Sequence, residues 1–181
     1  MDASIAVRDD GEVLSFTWES LYAYCGPAQI IASALVFRLL ERAFRELSPE
    51  AAPDRAEISF LTAFGGRGIA EAVELVTRIG SRRPDRYVVD TGAACAEAPD
   101  AAGGKLYFEV QAGRRRRGYW PSPALFDDFF RDQVGRYQEG GGTAEERAAY
   151  RLFKRRLAAA ILAEGADSLF GSRETPPRDE P

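Results

Sequence analysis

The chain has 181 residues, 45% of them hydrophobic, which is enough for one well-packed domain and too few for two of ordinary size. Its 24 basic and 28 acidic residues and its lack of histidine give a net charge of −4; this offers no footprint for non-specific nucleic-acid binding and removes chemistry that needs a histidine base or ligand. Two cysteines, Cys25 and Cys95, do not make a zinc site alone, no secretory pattern opens the chain, and the most apolar stretch (28–40) is interrupted by Gln29, Ser33 and Arg38, so a cytoplasmic protein without metal or membrane span is expected.

Residues 4–8 and 12–16 alternate around Asp9-Asp10-Gly11, the pattern of a β-hairpin. A short helix is expected over 18–22 with Thr17 as N-cap. Cys25-Gly26 then breaks the chain, and Pro27 suits the first turn of a long helix reaching about Leu47. A strand over 57–64 follows, then a helix over 69–79 with Ile69, Ala72, Val73, Val76 and Ile79 on one face and an i,i+4 pair of Glu74 with Arg78 on the other. Residues 86–90 read as a strand and 93–104 as a loop. Two further strands, 105–111 and 118–120, are expected to flank a hairpin loop over 112–117, whose Arg114 to Arg117 would keep the tip soluble or hold a polyanion.

A helix starting at Ser122 or Pro123 carries Leu125, Phe126, Phe129, Phe130 and Val134, and Glu139 to Gly142 ends it. Thr143 and Glu146 have capping-box spacing for a last helix to about Ala163, with Gly165 as the expected C-cap. The polar, proline-rich segment after it predicts a domain over 1–170 and a disordered tail over 171–181. The order of elements predicts a single α/β (α+β) domain, helices packed on a mixed, largely antiparallel sheet.

The junction of the 58–64 run with its helix is the leading candidate site. Gly65, Gly66, Arg67 and Gly68 bring backbone N–H groups and the positive end of a helix dipole to one spot, which suits an anion; Arg67 adds a planar donor. The second candidate segment is Tyr22-Ala23-Tyr24-Cys25-Gly26-Pro27. A cysteine before a buried helix is where a thiol nucleophile sits, and its Cys-Gly-Pro-Ala string resembles the segment of papain-like and phytochelatin-synthase-like folds; without histidine, Cys25 would need another base, and it would label rapidly at neutral pH. Glu71 and Glu74 are acids on a solvated helix face, and the aromatics Tyr119, Trp120, Phe126, Phe129 and Phe130 suit a core or a dimer face.

From Trp18 to about Trp120 the chain resembles the formylmethanofuran dehydrogenase E-like domain. Tyr22 to Ala28 stands where that family has a His-Gly-His-x-Cys-Pro-Gly segment, Glu71 to Arg78 where it has an Asp-Ala-Val-Gln-Leu-Leu-Thr-Gly-type helix, and Gly104 to Phe108 where it has a Gly-Lys-Leu-type strand. With Pro27 on the family proline, Tyr22 and Tyr24 replace the two histidines and Gly26 the cysteine; Gly68 and Ile79 replace two further cysteines. The resemblance implies a metal-free member of the group, related to one-carbon metabolism. Its cleft between 22–27 and 64–68 would bind a small anionic or pterin/furan-type cofactor or precursor, with Tyr22, Tyr24, Cys25, Gly65, Gly66, Arg67 and Gly68 as ligand-binding residues. The competing expectation is a non-catalytic accessory component of a one-carbon enzyme complex that pairs with itself or an enzyme through residues 119–130. A homo-oligomer is expected, with no nucleic-acid and no membrane partner; cofactor identity and reaction stay unassigned.

Overall fold

The computed structural model describes residues 3–93, 95–137 and 139–176. Strands β1 (Ile5–Asp9) and β2 (Glu12–Phe16) form the expected hairpin, with Asp10 and Gly11 at φ 50° and 83°, the mirror-image turn that matches strand twist. Helix α1 (Trp18–Cys25) runs three residues past the expected end and stops at Gly26, whose φ of 73° an L side chain rarely adopts. After a single 3-10 turn (Pro27–Gln29), α2 (Ile30–Leu47) crosses the core: Ala34, Leu35, Val36, Phe37, Leu39 and Leu40 are all buried. Each large side chain among them contributes about 1.5–3 kcal/mol through burial, which makes α2 the axis of the fold.

Six strands make one mixed sheet in the order β4 (Tyr87–Val89), β3 (Ile58–Phe64), β6 (Gly104–Ala112), β7 (Arg115–Pro121), β8 (Phe170–Glu174), with β5 (Asp100–Ala101) beside β6. Strand β3, second from one edge, pairs parallel with the edge strand β4; the crossover between them holds α3 (Arg67–Thr77) and the short α4 (Ile79–Arg82). All other pairings are antiparallel: β3 with β6, β5 with β6, β6 with β7 and β7 with β8. Helix α2 packs on this sheet and against α1, α3, α6 (Ala144–Ala163) and the short α7 (Ala166–Leu169). Helix α5 (Asp128–Tyr137) lies beside α6. A second, smaller cluster of Ala63, Cys95, Ala98 and Tyr107 forms separately from the main core. The protein is therefore α+β, with helices packed on a mixed sheet as its sequence predicts.

Several expectations are corrected. The hairpin loop over 112–117 is in fact the two residues Gly113 and Arg114, because Ala112 pairs with Arg115 and strand alternation sends the next two arginines to opposite faces. Arg116 then ion-pairs with Glu109, and Arg117 lies 3.3 Å from Glu46, so both are drawn into the sheet by carboxylates instead of projecting at a tip. The helix expected at Ser122 or Pro123 begins only at Asp128, where Asp127 Oδ1 accepts from the Phe130 N–H (2.9 Å). Gly165 does not end α6 in a left-handed turn; its φ is −66° and it precedes α7.

Residues 171–174, expected in a disordered tail, are strand β8, and Gly171 is bare so that the Trp120 indole can lie across it. The last residues of that tail, 177–181, lie outside the described residues. Cys25 and Cys95 are free thiols, Cys25 in the main core and Cys95 in the second cluster. No single helix among the described residues is long and apolar enough to cross a membrane.

Candidate functional site

The end of β3 sets the site. Between Thr62 and Phe64 the pairing with β6 slips, and the buried Thr62 hydroxyl closes the slip locally, donating to the Phe64 carbonyl (2.8 Å) and accepting from its N–H (3.0 Å). Gly65 and Gly66 then turn the chain into α3, whose first turn packs on the start of α2. A Cβ at Gly68 would lie 2.5 Å from Gln29 Oε1 and 2.7 Å from Ala32 Cβ, so only glycine allows this approach.

Beside that contact is a cavity of about 100 Å³. Its floor and walls are apolar: Ile31 and Leu35 from α2, Phe64 and Ile69, Leu106 from β6, and Phe126, Phe130 and Val134 from α5 and the segment before it. Its polar lining is Gln29, Arg67, Tyr150 and Lys154, together with the backbone of Gly66 and Gly68. The only charged side chains among the described lining residues are thus two cations. The Arg67 side chain is 84% exposed and rests against Glu71 (2.5 Å), a surface pair of the weak kind that a bound carboxylate can displace. Lys154 Nζ donates to the Ala28 carbonyl (3.1 Å) and sits 5.0 Å from the centre of the Tyr150 ring; burial and the nearby Arg151 charge hold its pKa below the usual lysine range.

The candidate residues divide around this cavity. Gly66, Arg67 and Gly68 line it; Gly65 stands outside, facing Val89. Tyr22, Tyr24 and Cys25 do not line it, so the expected cleft between 22–27 and 64–68 is corrected: the wall opposite the glycine turn starts at Ala28, one step beyond Pro27. Within its expected span α1 stacks Tyr22 on Trp18 (5.3 Å), and its three further residues leave Tyr24 half in solvent and tuck Cys25 into the core. Burial and the Glu71 charge push the Cys25 thiol up to about 11, the reverse of what a nucleophile requires.

The dimer face expected over residues 119–130 is also much reduced. Tyr119, Phe126 and Phe130 are buried, and of these aromatics Phe129 alone is largely exposed. Sequence reasoning missed Gln29, Tyr150 and Lys154. One signal was present: Tyr150, Lys154, Leu157, Ala158 and Ile161 share a helical stripe, and a lysine on an apolar stripe is out of place.

A rival depression between the hairpin and α4 is lined by Asp9, Asp54, Arg55, Arg78 and Arg82. Its central acid is already committed, with Asp9 2.7 Å from Arg55 and 2.9 Å from Arg82. No group of three or more cysteine, aspartate or glutamate side chains among the described residues is arranged to hold a metal ion. No family model matches the chain, and no curated protein matches it.

Proposed function

We propose that the protein binds a small organic anion whose apolar body enters the cavity between α2, α3, α5 and α6 and whose carboxylate or phosphate faces Arg67 and the first turn of α3. The observation behind this reading is the lining itself, apolar throughout except for neutral polar groups and two cations. Size narrows the ligand further. At about 100 Å³ the cavity is smaller than the ~150 Å³ apolar cavity that takes up benzene, so the part of the ligand inside it is a short chain or one small ring. Of the two cofactor types implied by the one-carbon resemblance, a furan-type ligand or precursor suits this space better than a bicyclic pterin.

Thermal-shift titration with furoate, and with furan as the uncharged control, tests the reading. Furoate is expected to give a saturable shift and furan a much weaker one, and Arg67→Ala is expected to weaken furoate binding by about tenfold or more through loss of charge-assisted hydrogen bonds. An unchanged furoate shift in Arg67→Ala rejects the proposed orientation.

A further inference from the structure

The chain uses arginine almost wherever it needs a cation, and its two lysines have different surroundings. Lys105 Nζ is 2.8 Å from Asp100 and donates to the Ala98 carbonyl, an ordinary surface pair. Lys154 lines the cavity, is half-buried, and has no carboxylate within ion-pair distance among the described residues. Arginine at this position could bind an anion equally well, but it stays protonated and cannot act as a nucleophile.

We propose that Lys154 is a carbonyl-reactive amine that forms an imine with a small α-oxo acid, the body of the acid lying in the cavity and its carboxylate facing Arg67. This inference rests on the anion-binding reading of the cavity and goes beyond it by assigning a covalent step. The Nζ lone pair adds to the carbonyl carbon as the carbon–oxygen π bond opens and the oxygen takes a proton. The resulting carbinolamine loses its hydroxyl as water, and the nitrogen lone pair forms the C=N bond of a protonated imine. Neutral amine and carbonyl compound, with one proton, thus give protonated imine and one water, with no oxidant or reductant.

The Ala28 carbonyl (3.1 Å) and the Tyr150 ring (5.0 Å) hold Lys154 as the ammonium, and burial and the Arg151 charge on its own helix oppose them, with a net lowering of its pKa toward the neutral amine this step needs. The same cavity is lined by Gln29 from the start of α2, by Phe126, Phe130 and Val134 from α5 and the segment before it, and by Arg67 on its α3 side. Cationic and apolar neighbours without a lining carboxylate are the setting in which a lysine becomes nucleophilic near neutral pH. Tyr150, one helical turn away, lines the same cavity, and burial keeps its hydroxyl protonated.

The test is reductive trapping of the full chain with furylglyoxylate and cyanoborohydride at pH 7.5, read by peptide mass mapping. Adduct at Lys154 is expected to exceed that at Lys105 at least ~10-fold, because binding raises the local carbonyl concentration. Lys105→Arg should leave the Lys154 adduct unchanged, Lys154→Arg should leave the Lys105 adduct at its low level, and excess furoate should suppress the Lys154 adduct. Equal labelling of both lysines, or an adduct at Lys154 that excess furoate does not suppress, overturns the proposal. A furoate thermal shift without trapping removes the imine step alone, whereas absence of both removes the anion-binding reading as well.

Discussion

Cys25 sits just before a buried helix, where a thiolate would be sought, yet its surroundings oppose ionisation. With the thiol at about 11, its thiolate fraction at neutral pH is about 100-fold below that of a thiol at 9.0; the greater nucleophilicity of the more basic thiolate offsets part of this, and labelling of the buried thiol by a disulfide reagent at pH 7.5 should be slower by ~10-fold or more. Labelling as fast as free cysteine would restore the nucleophile reading. The same shift has a sign for stability. The folded state holds the proton more tightly than the unfolded chain, so the contribution is full below about pH 9 and is lost as pH rises through about 11. Urea midpoints measured across that range should fall more steeply in the wild type than in Cys25→Ala.

At the scale of elements, the contact of α3 with the start of α2 decides the shape of the cavity. Gly68→Ala places a methyl group against Ala32 and Gln29, and overpacking of this kind costs about 1–3 kcal/mol, to be read from the urea midpoint. An unchanged midpoint would mean that the two helices are not held this closely. Features set by neighbours in sequence were legible in advance. The Asp10-Gly11 turn, the Glu74–Arg78 pair at 3.4 Å and the reciprocal Thr143–Glu146 cap at 2.8 and 3.2 Å are all present, because each depends on spacing within a few residues. The cavity was only half legible. Its Gly66–Gly68 wall follows from a local strand-to-helix turn, but Tyr150 and Lys154 reach it from a helix more than eighty residues away in sequence. Arg116 and Arg117 were misread for a related reason: the carboxylates that draw them into the sheet belong to β6 and to α2.

At the scale of the molecule, the C-terminal strand completes the sheet. Strand β8 pairs with β7 from Arg117↔Glu174 to Pro121↔Phe170, and Ser172 Oγ accepts from Arg42 at 3.0 Å, tying this edge to α2. Truncation after Phe170 exposes the edge of β7 and uncovers Trp120. It should cost about 2 kcal/mol or more, a fall in Tm of roughly 4–8 °C for a chain of this size. A Tm unaffected by that truncation would return residues 171–174 to the status of a tail. Composition alone pointed to a tail because the segment is polar, and an edge strand draws its order from its partner strand more than from its own hydrophobicity.

We propose above all that the cavity bounded by Phe64, Gly68, Phe130 and Lys154 takes the body of a small anion. Backbone amide NMR of the full chain during titration with furoate both detects such a ligand and locates it. Saturable shifts are expected to be confined to Gly66, Gly68, Ile69, Phe130, Tyr150 and Lys154 and to be strongly reduced in Arg67→Ala. Shifts centred instead on Arg78, Arg82 and Arg83 of the rival depression, or no saturable response, would contradict it.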